Sequence, residues 1–185
     1  RLRAIFGGNA KPRVVIVERN KAIAPDMGPG PRPVIEGALR ELGVETRLGA
    51  GVEALDKTGV TLTSGERIET ATVIWAAGIR AAPLTAQIPA ERDNFGRLIV
   101  DRDLRVPSVA GVFATGDAAK AACDDIGNYA LMSCQHATRM GAFAGNNAVA
   151  ELLGMPTQPY HQKTYVTCLD LGEAGALFTR GWERK

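Results

Sequence analysis

Short apolar blocks alternate with polar, glycine-bearing stretches along this 185-residue chain. Residues 13–18, Arg-Val-Val-Ile-Val-Glu, set β-branched side chains in succession and end on an acid, which predicts a buried parallel strand. Before it, residues 1–6 read as the last turns of a helix stopped by Gly7-Gly8. A Pro-rich loop over 24–33 leads to a predicted helix from Val34 to Leu42, with Val34, Ala38 and Leu42 on one face and Gly43 as its stop. Residues 44–48 are the next strand, so the order is that of the trailing part of a βαβαβ unit. Over 51–70 the period shortens to two, and Ser64-Gly65 marks a tight turn, which predicts a small antiparallel meander.

Further on, residues 72–75 (Thr-Val-Ile-Trp) and 111–115 (Gly-Val-Phe-Ala-Thr) predict buried strands, and 95–101 a turn followed by a strand. Residues 134–153 carry the longest helical pattern, with small side chains at 137, 141, 144, 145 and 148. Each interior glycine there costs about 1 kcal/mol against alanine, so the stripe implies close packing on a sheet or a flat ligand-bearing surface. Residues 164–171 and 174–179 form a predicted hairpin around Gly172.

Composition narrows the function classes. Apolar residues make up 45% and charged residues 23%, a globular balance. Twenty-two basic residues against 20 acidic ones are dispersed, with no block suited to nucleic acid. No apolar run approaches the roughly 18–20 residues of a membrane-spanning helix, and no secretory signal is visible. Cys123, Cys134 and Cys168 are widely spaced and read as buried or half-buried thiols, while His136 and His161 lack ligand neighbours. No metal site is expected.

Four places carry candidate chemistry. Glu18 ends a strand where an acid accepts from the ribose hydroxyls of an adenine dinucleotide and repels a 2′-phosphate, which favours NAD. Arg19 beside it would suit that phosphate, and an ordinary solvated strand end has the same residues. The matching Gly-x-Gly-x-x-Gly turn belongs about 20 residues earlier, upstream of Arg1. Ala77 and Gly78 are small residues after a strand, where a cofactor ring or simple packing would need them. Gly116-Asp117-Ala118 turns out of a strand and exposes a carboxylate suited to polyol hydroxyls, or to an ordinary helix cap. Gln135, His136 and Ala137 form the first turn of the long helix, whose positive end suits the charge gathered on a reduced flavin. His136 reads equally as a capping or surface residue.

Taken in order, the segments Val-Val-Ile-Val-Glu18, Leu42-Gly-Val-Glu45, the meander, Trp75-Ala-Ala-Gly78, Gly96-Arg-Leu-Ile-Val-Asp101, Val112-Phe-Ala-Thr-Gly-Asp117 and Gln135-His-Ala137 resemble the pyridine nucleotide-dependent flavoprotein oxidoreductases. Within them the wording is similar to the type II NADH dehydrogenases. The resemblance implies an α/β fold of two Rossmann-like lobes, each incomplete, with the antiparallel meander. Residues 1–79 would be the C-terminal part of an NADH-binding domain, 80–157 the second part of an FAD-binding domain, and 158–185 the start of a C-terminal domain.

It further implies FAD and NAD(H) as cofactors, with Glu18 on the NADH ribose and Ala77 and Gly78 along the nicotinamide nucleotide. Gly116, Asp117 and Ala118 would face the ribityl chain, and Gln135, His136 and Ala137 the flavin ring. The implied activity is hydride transfer from NADH to FAD and electron delivery to a quinone. The implied setting is the cytoplasm, with peripheral contact at the inner face of the membrane through segments outside these residues; a homodimer is compatible with it. The alternatives are a soluble ferredoxin- or rubredoxin-reductase-like protein with a redox-protein acceptor, and a non-catalytic nucleotide-binding module. One departure bears on the acceptor: the quinone-associated Ala-Gln-x-Ala-x-Gln of the type II enzymes reads Cys134-Gln-His-Ala-Thr-Arg139 here. The resemblance makes this a fragment without the N-terminal FAD half and the C-terminus, expected to be inactive alone. Purified as these 185 residues, the chain should hold FAD weakly or not at all; flavin absorbance surviving gel filtration would contradict that.

Overall fold

The computed structural model describes residues 12–184, and the expected helix end at 1–6 lies outside them. The chain divides into two units, one running to Trp75 and resuming at Val166, the other Ala76–Tyr165.

In the first unit, β1 (Val14–Glu18) and β2 (Val44–Leu48) pair in parallel, Val14 opposite Val44 and Glu18 opposite Leu48. Parallel neighbours need a crossover, and α1 (Arg32–Glu41) supplies it. Pro33 falls in the first turn of α1, where a missing N–H breaks no helical bond. The buried face of α1 is Ile35 and Ala38, with Leu39 beside them; of the expected Val34, Ala38 and Leu42 only Ala38 is buried. The cause is the 3-10 turn Pro25–Met27, which brings Ile23 and Met27 against Ile35 and leaves Val34 53% exposed.

Both faces of β1 are used. Val15 and Val17 pack on Ala50, Val60, Leu62 and Ile68, while Ile16 packs on the Ile23–Met27–Ile35 cluster. The meander is as expected: β3 (Val52–Asp56), β4 (Gly59–Leu62) and β5 (Arg67–Glu69) are antiparallel neighbours. Gly59 admits no side chain, since a Cβ there would lie 2.3 Å from the Ile68 carbonyl oxygen. The hairpin Val166–Asp170 and Ala176–Arg180 is also present, and Leu169 and Leu177 pack against the Ile23 cluster.

The strand expected at 72–75 does not form. Ile74 and Trp75 are 86% and 62% exposed, and no described segment pairs with them. An apolar run becomes a strand only where another backbone accepts its hydrogen bonds.

In the second unit the sheet is small: β6 (Leu98–Ile99) and β7 (Ala119–Lys120) form a two-residue parallel pair. The strand expected at 111–115 is reduced to one bridge, Phe113 to Arg105, again for want of a neighbouring strand among the described residues. Side chains do the fastening instead. The Arg92 guanidinium donates to the carbonyls of Thr85, Ala86, Ile88 and Ala90 at 2.7–3.2 Å. Asp93 accepts from the backbone N–H of Phe95 and Arg97 and pairs with the Arg97 guanidinium at 2.7 Å, both side chains only 11–12% exposed. Arg97 also donates to the Ala130 carbonyl at 3.0 Å.

The long helix α2 spans Cys134–Leu152 and buries His136, Met140, Ala144 and Asn147. Gly141 and Gly145, expected against a packed surface, face open space. Buried Asn147 donates to the carbonyls of Asp103 (2.9 Å) and Gln158 (2.8 Å) and accepts from the Gln158 N–H at 2.8 Å. Arg105 links Asp103 to Glu151, at 2.7 and 2.6 Å. Leu104, fully buried, holds a left-handed φ of +67° that its side chain disfavours by about 1 kcal/mol, within a turn whose Asp101 carboxylate accepts from the N–H groups of Asp103 and Arg105. Among the described residues no helix is long and apolar enough to cross a membrane.

Burial alone would raise the Asp93 carboxyl, but the Arg97 side chain and the N–H groups of Arg97 and Phe95 outweigh it and hold it below its ordinary value. A depressed carboxyl contributes stability above the unfolded value and loses it as the pH falls below the ordinary carboxylate range. Arg97→Ala strands a nearly buried carboxylate, and denaturant melts at neutral pH should show a loss of about 2–3 kcal/mol. That deficit should narrow in melts at progressively lower pH, as Asp93 protonates in both proteins.

Candidate functional site

The site is built from one turn and one helix end. Thr115 is extended, and Gly116–Ala118 then form a single 3-10 turn leading into β7. Gly116 has φ +62°, and a Cβ on it would lie 3.4 Å from the Ala137 Cβ. The left-handed φ is what favours glycine here, while a Cβ would be in ordinary van der Waals contact with α2. Asp117 is exposed on this turn, and Ala119 behind it is buried. The 116–118 turn thus lies beside Ala137 in the first turn of α2.

At the helix mouth Ser133 is extended and makes no side-chain cap; its hydroxyl instead meets His136 Nδ1 at 3.0 Å. The His136 ring is wholly enclosed, lying 5.0 Å from the Tyr165 ring at a 35° tilt. His136 is therefore neither a surface nor an exposed capping residue, because Ser133 and Tyr165 enclose the ring inside the unit. Gln135 and Ala137 are half-buried on the same turn. Cys134 and Cys168 are exposed, against expectation; only Cys123 is buried, 3.9 Å from the Tyr160 hydroxyl, and burial pushes its thiol up.

Arg139 donates to the His161 carbonyl at 3.1 Å and lies 5.8 Å from the Phe143 ring, which packs edge-on against Tyr160. Ala77 and Gly78 are exposed in a stretch without regular structure, Gly78 at φ +89°. Among the described residues no cluster of His, Cys, Asp or Glu has the makings of a metal site.

Glu18 belongs to the other unit. Its Oε1 accepts from the Asn20 backbone N–H at 2.8 Å and the Asn20 side-chain amide at 2.6 Å. These bonds, the backbone one first, hold the carboxyl below its ordinary value. Asn20 went unnoticed in the sequence, although an Asn two residues after a strand-ending acid is a common turn signal. Nothing in the pattern marked Tyr165.

The residues present fit a flavin. Gly116 holds a backbone conformation that side chains rarely adopt, the exposed Asp117 carboxylate can accept from polyol hydroxyls, and the first turn of a helix favours negative charge.

Comparisons with known proteins agree. The family model for pyridine nucleotide-disulphide oxidoreductases matches residues 4–141. An NADH dehydrogenase-like protein of Mycobacterium tuberculosis is 51% identical over 187 residues, covering 100% of this chain and 46% of that protein. The type II NADH:quinone oxidoreductase NdhA of the same organism is 39% identical over 57% of this chain and 24% of its own length. This chain spans about half the length of the first of these relatives. Among solved structures, the water-forming NADH oxidase of Lactobacillus brevis bound to NADH has a TM-score of 0.70 at 25% identity, covering 84% of this chain and 34% of that one. An NAD-dependent persulfide reductase from A. fulgidus has a TM-score of 0.68 at 22% identity, covering 83% and 29%. The fold is accordingly α/β of the Rossmann type found in FAD- and NAD-binding oxidoreductases, with the meander in the first unit. By family match, relatives and fold, the chain belongs to the pyridine nucleotide-disulphide oxidoreductase family.

Proposed function

We propose that this chain is part of an FAD-dependent NAD(P)H oxidoreductase that takes hydride from NADH and passes electrons to a quinone at the inner face of the cytoplasmic membrane. In this reading residues 1–79 belong to the NADH-binding domain, 80–157 to the FAD-binding domain, and 158–185 open a C-terminal domain. The observation that carries the reading is the Gly116–Ala137 contact, which sets the Asp117 turn against the mouth of α2. Family membership and the names of the relatives, NADH dehydrogenase-like and type II NADH:quinone oxidoreductase, support it.

Bound flavin would supply the two-electron acceptor chemistry that no side chain here provides. The chain's own residues bind and orient. Asp117, exposed, accepts from the ribityl hydroxyls, while Gly116 lets the backbone come close. The first turn of α2, at Gln135–Ala137, offers partial positive charge to the pyrimidine end of the ring. Glu18 accepts from the adenosine ribose of NADH, and Ala77 and Gly78 leave room for its nicotinamide end. A redox-protein acceptor is the second reading, because Arg139 stands where type II enzymes carry the last Gln of their quinone-associated pattern. Its guanidinium, however, is engaged with the His161 carbonyl and the Phe143 ring, which weakens its standing as a docking charge.

Anaerobic mixing of the full-length, flavin-loaded protein with NADH should bleach the flavin band. Absence of bleaching at every NADH concentration would favour a non-catalytic nucleotide-binding module. Reoxidation by a water-soluble quinone, and not by a small iron–sulfur protein, would separate the two acceptor readings. Asp117→Ala should weaken flavin retention about tenfold, as expected for hydrogen bonds to a charged group, with little change in melting temperature. Gly116→Val should abolish retention by wedging the turn away from Ala137. Normal flavin content in both variants would remove Asp117 and Gly116 from the binding site.

A further inference from the structure

The turn after β1 is held more firmly than an exposed strand end requires. Ala50 donates its N–H to the Glu18 carbonyl at 3.2 Å, and Gly49 donates to the Asn20 carbonyl at 2.9 Å, so the exit of β2 fixes the backbone on both sides of Arg19. On that fixed frame both Asn20 donors land on the same oxygen, Glu18 Oε1. The carboxylate is pinned through one oxygen, and Oε2 remains an acceptor. Arg19, the residue between them, is exposed and close enough for its charge to act on Glu18.

The run Glu18-Arg19-Asn20 therefore holds two opposed preferences. A free carboxylate at this place accepts ribose hydroxyls and repels a 2′-phosphate, whereas a free guanidinium attracts that phosphate. Left loose, the two side chains would neutralise each other. We propose that Asn20 is a positioning residue for nucleotide choice, holding the Glu18 carboxylate away from pairing with Arg19 so that NADH is preferred to NADPH. The proposal rests on the reading of Glu18 as the ribose-binding acid.

The test compares wild type, Asn20→Ala and Asn20→Ser in the flavin-loaded protein. Titration calorimetry of NADH and NADPH gives the ratio of the two dissociation constants without requiring turnover. Asn20→Ala keeps the backbone bond and loses the amide bond. The ratio should shift toward NADPH by about fivefold, the size expected when one hydrogen bond to a solvent-exposed charge is lost. Asn20→Ser, which keeps a short donor, should restore most of the preference. Flavin content and melting temperature should not change in either variant.

An unchanged ratio in Asn20→Ala overturns the proposal, and so does equal weakening toward both nucleotides, which would mean a merely structural turn. Wild type that binds neither nucleotide defeats both the proposal and the reading beneath it. Binding without flavin reduction defeats the redox reading alone, since the ratio still decides the role of Asn20.

Discussion

The second unit depends on a place where one backbone has no side chain and the facing helix has almost none. A Cβ on Gly116 would come into ordinary van der Waals contact with Ala137, so the carboxylate-bearing turn lies beside the open end of α2. Neither half of the pairing would carry meaning alone. Glycine–aspartate turns are common, and so are helix termini. Together they place a hydrogen-bond acceptor and a partial positive charge beside one cradle, as a cofactor with a hydroxylated tail and an electron-rich ring requires.

Elements whose evidence is local could be read from the sequence. β1 declares itself by a β-branched run, the meander by its two-residue period, α2 by its length, and the terminal hairpin by Gly172. The segments at 72–75 and 111–115 have equally good apolar patterns, yet neither is a strand among the described residues. A helix satisfies its own backbone, whereas a strand is a relation between two segments. The same limit applied to α1, whose buried face was settled by a loop folding beneath it, and to His136, whose enclosure depends on Tyr165, 29 positions away. At the candidate site the acids stand out in the sequence at strand ends, although a solvated strand end or a helix cap would place them there too. Asn20 was not, because its contribution is to another side chain.

Charge is used here mainly as internal fastening. Arg92 gathers four carbonyls, Arg97 is folded onto Asp93, and Arg105 bridges Asp103 and Glu151. Guanidinium groups suit this task because a planar fork of five donors can serve several acceptors at once without deprotonating. In a unit with so little regular sheet, such forks replace the ladders that would otherwise hold the loops. The modest net charge of +2 therefore says little about partners.

Asn147 gives the far half of α2 a second anchorage. Its amide grips two carbonyls and one N–H from segments on either side, and it is almost wholly shielded from water. Ten residues of helix, about 15 Å, separate it from Ala137. A rod clamped at one end transmits position to the other, so the spacing between the alanine and the glycine backbone is governed partly from this distant pivot. Loosening the amide would let the mouth of the helix drift while every residue lining the cradle stayed the same.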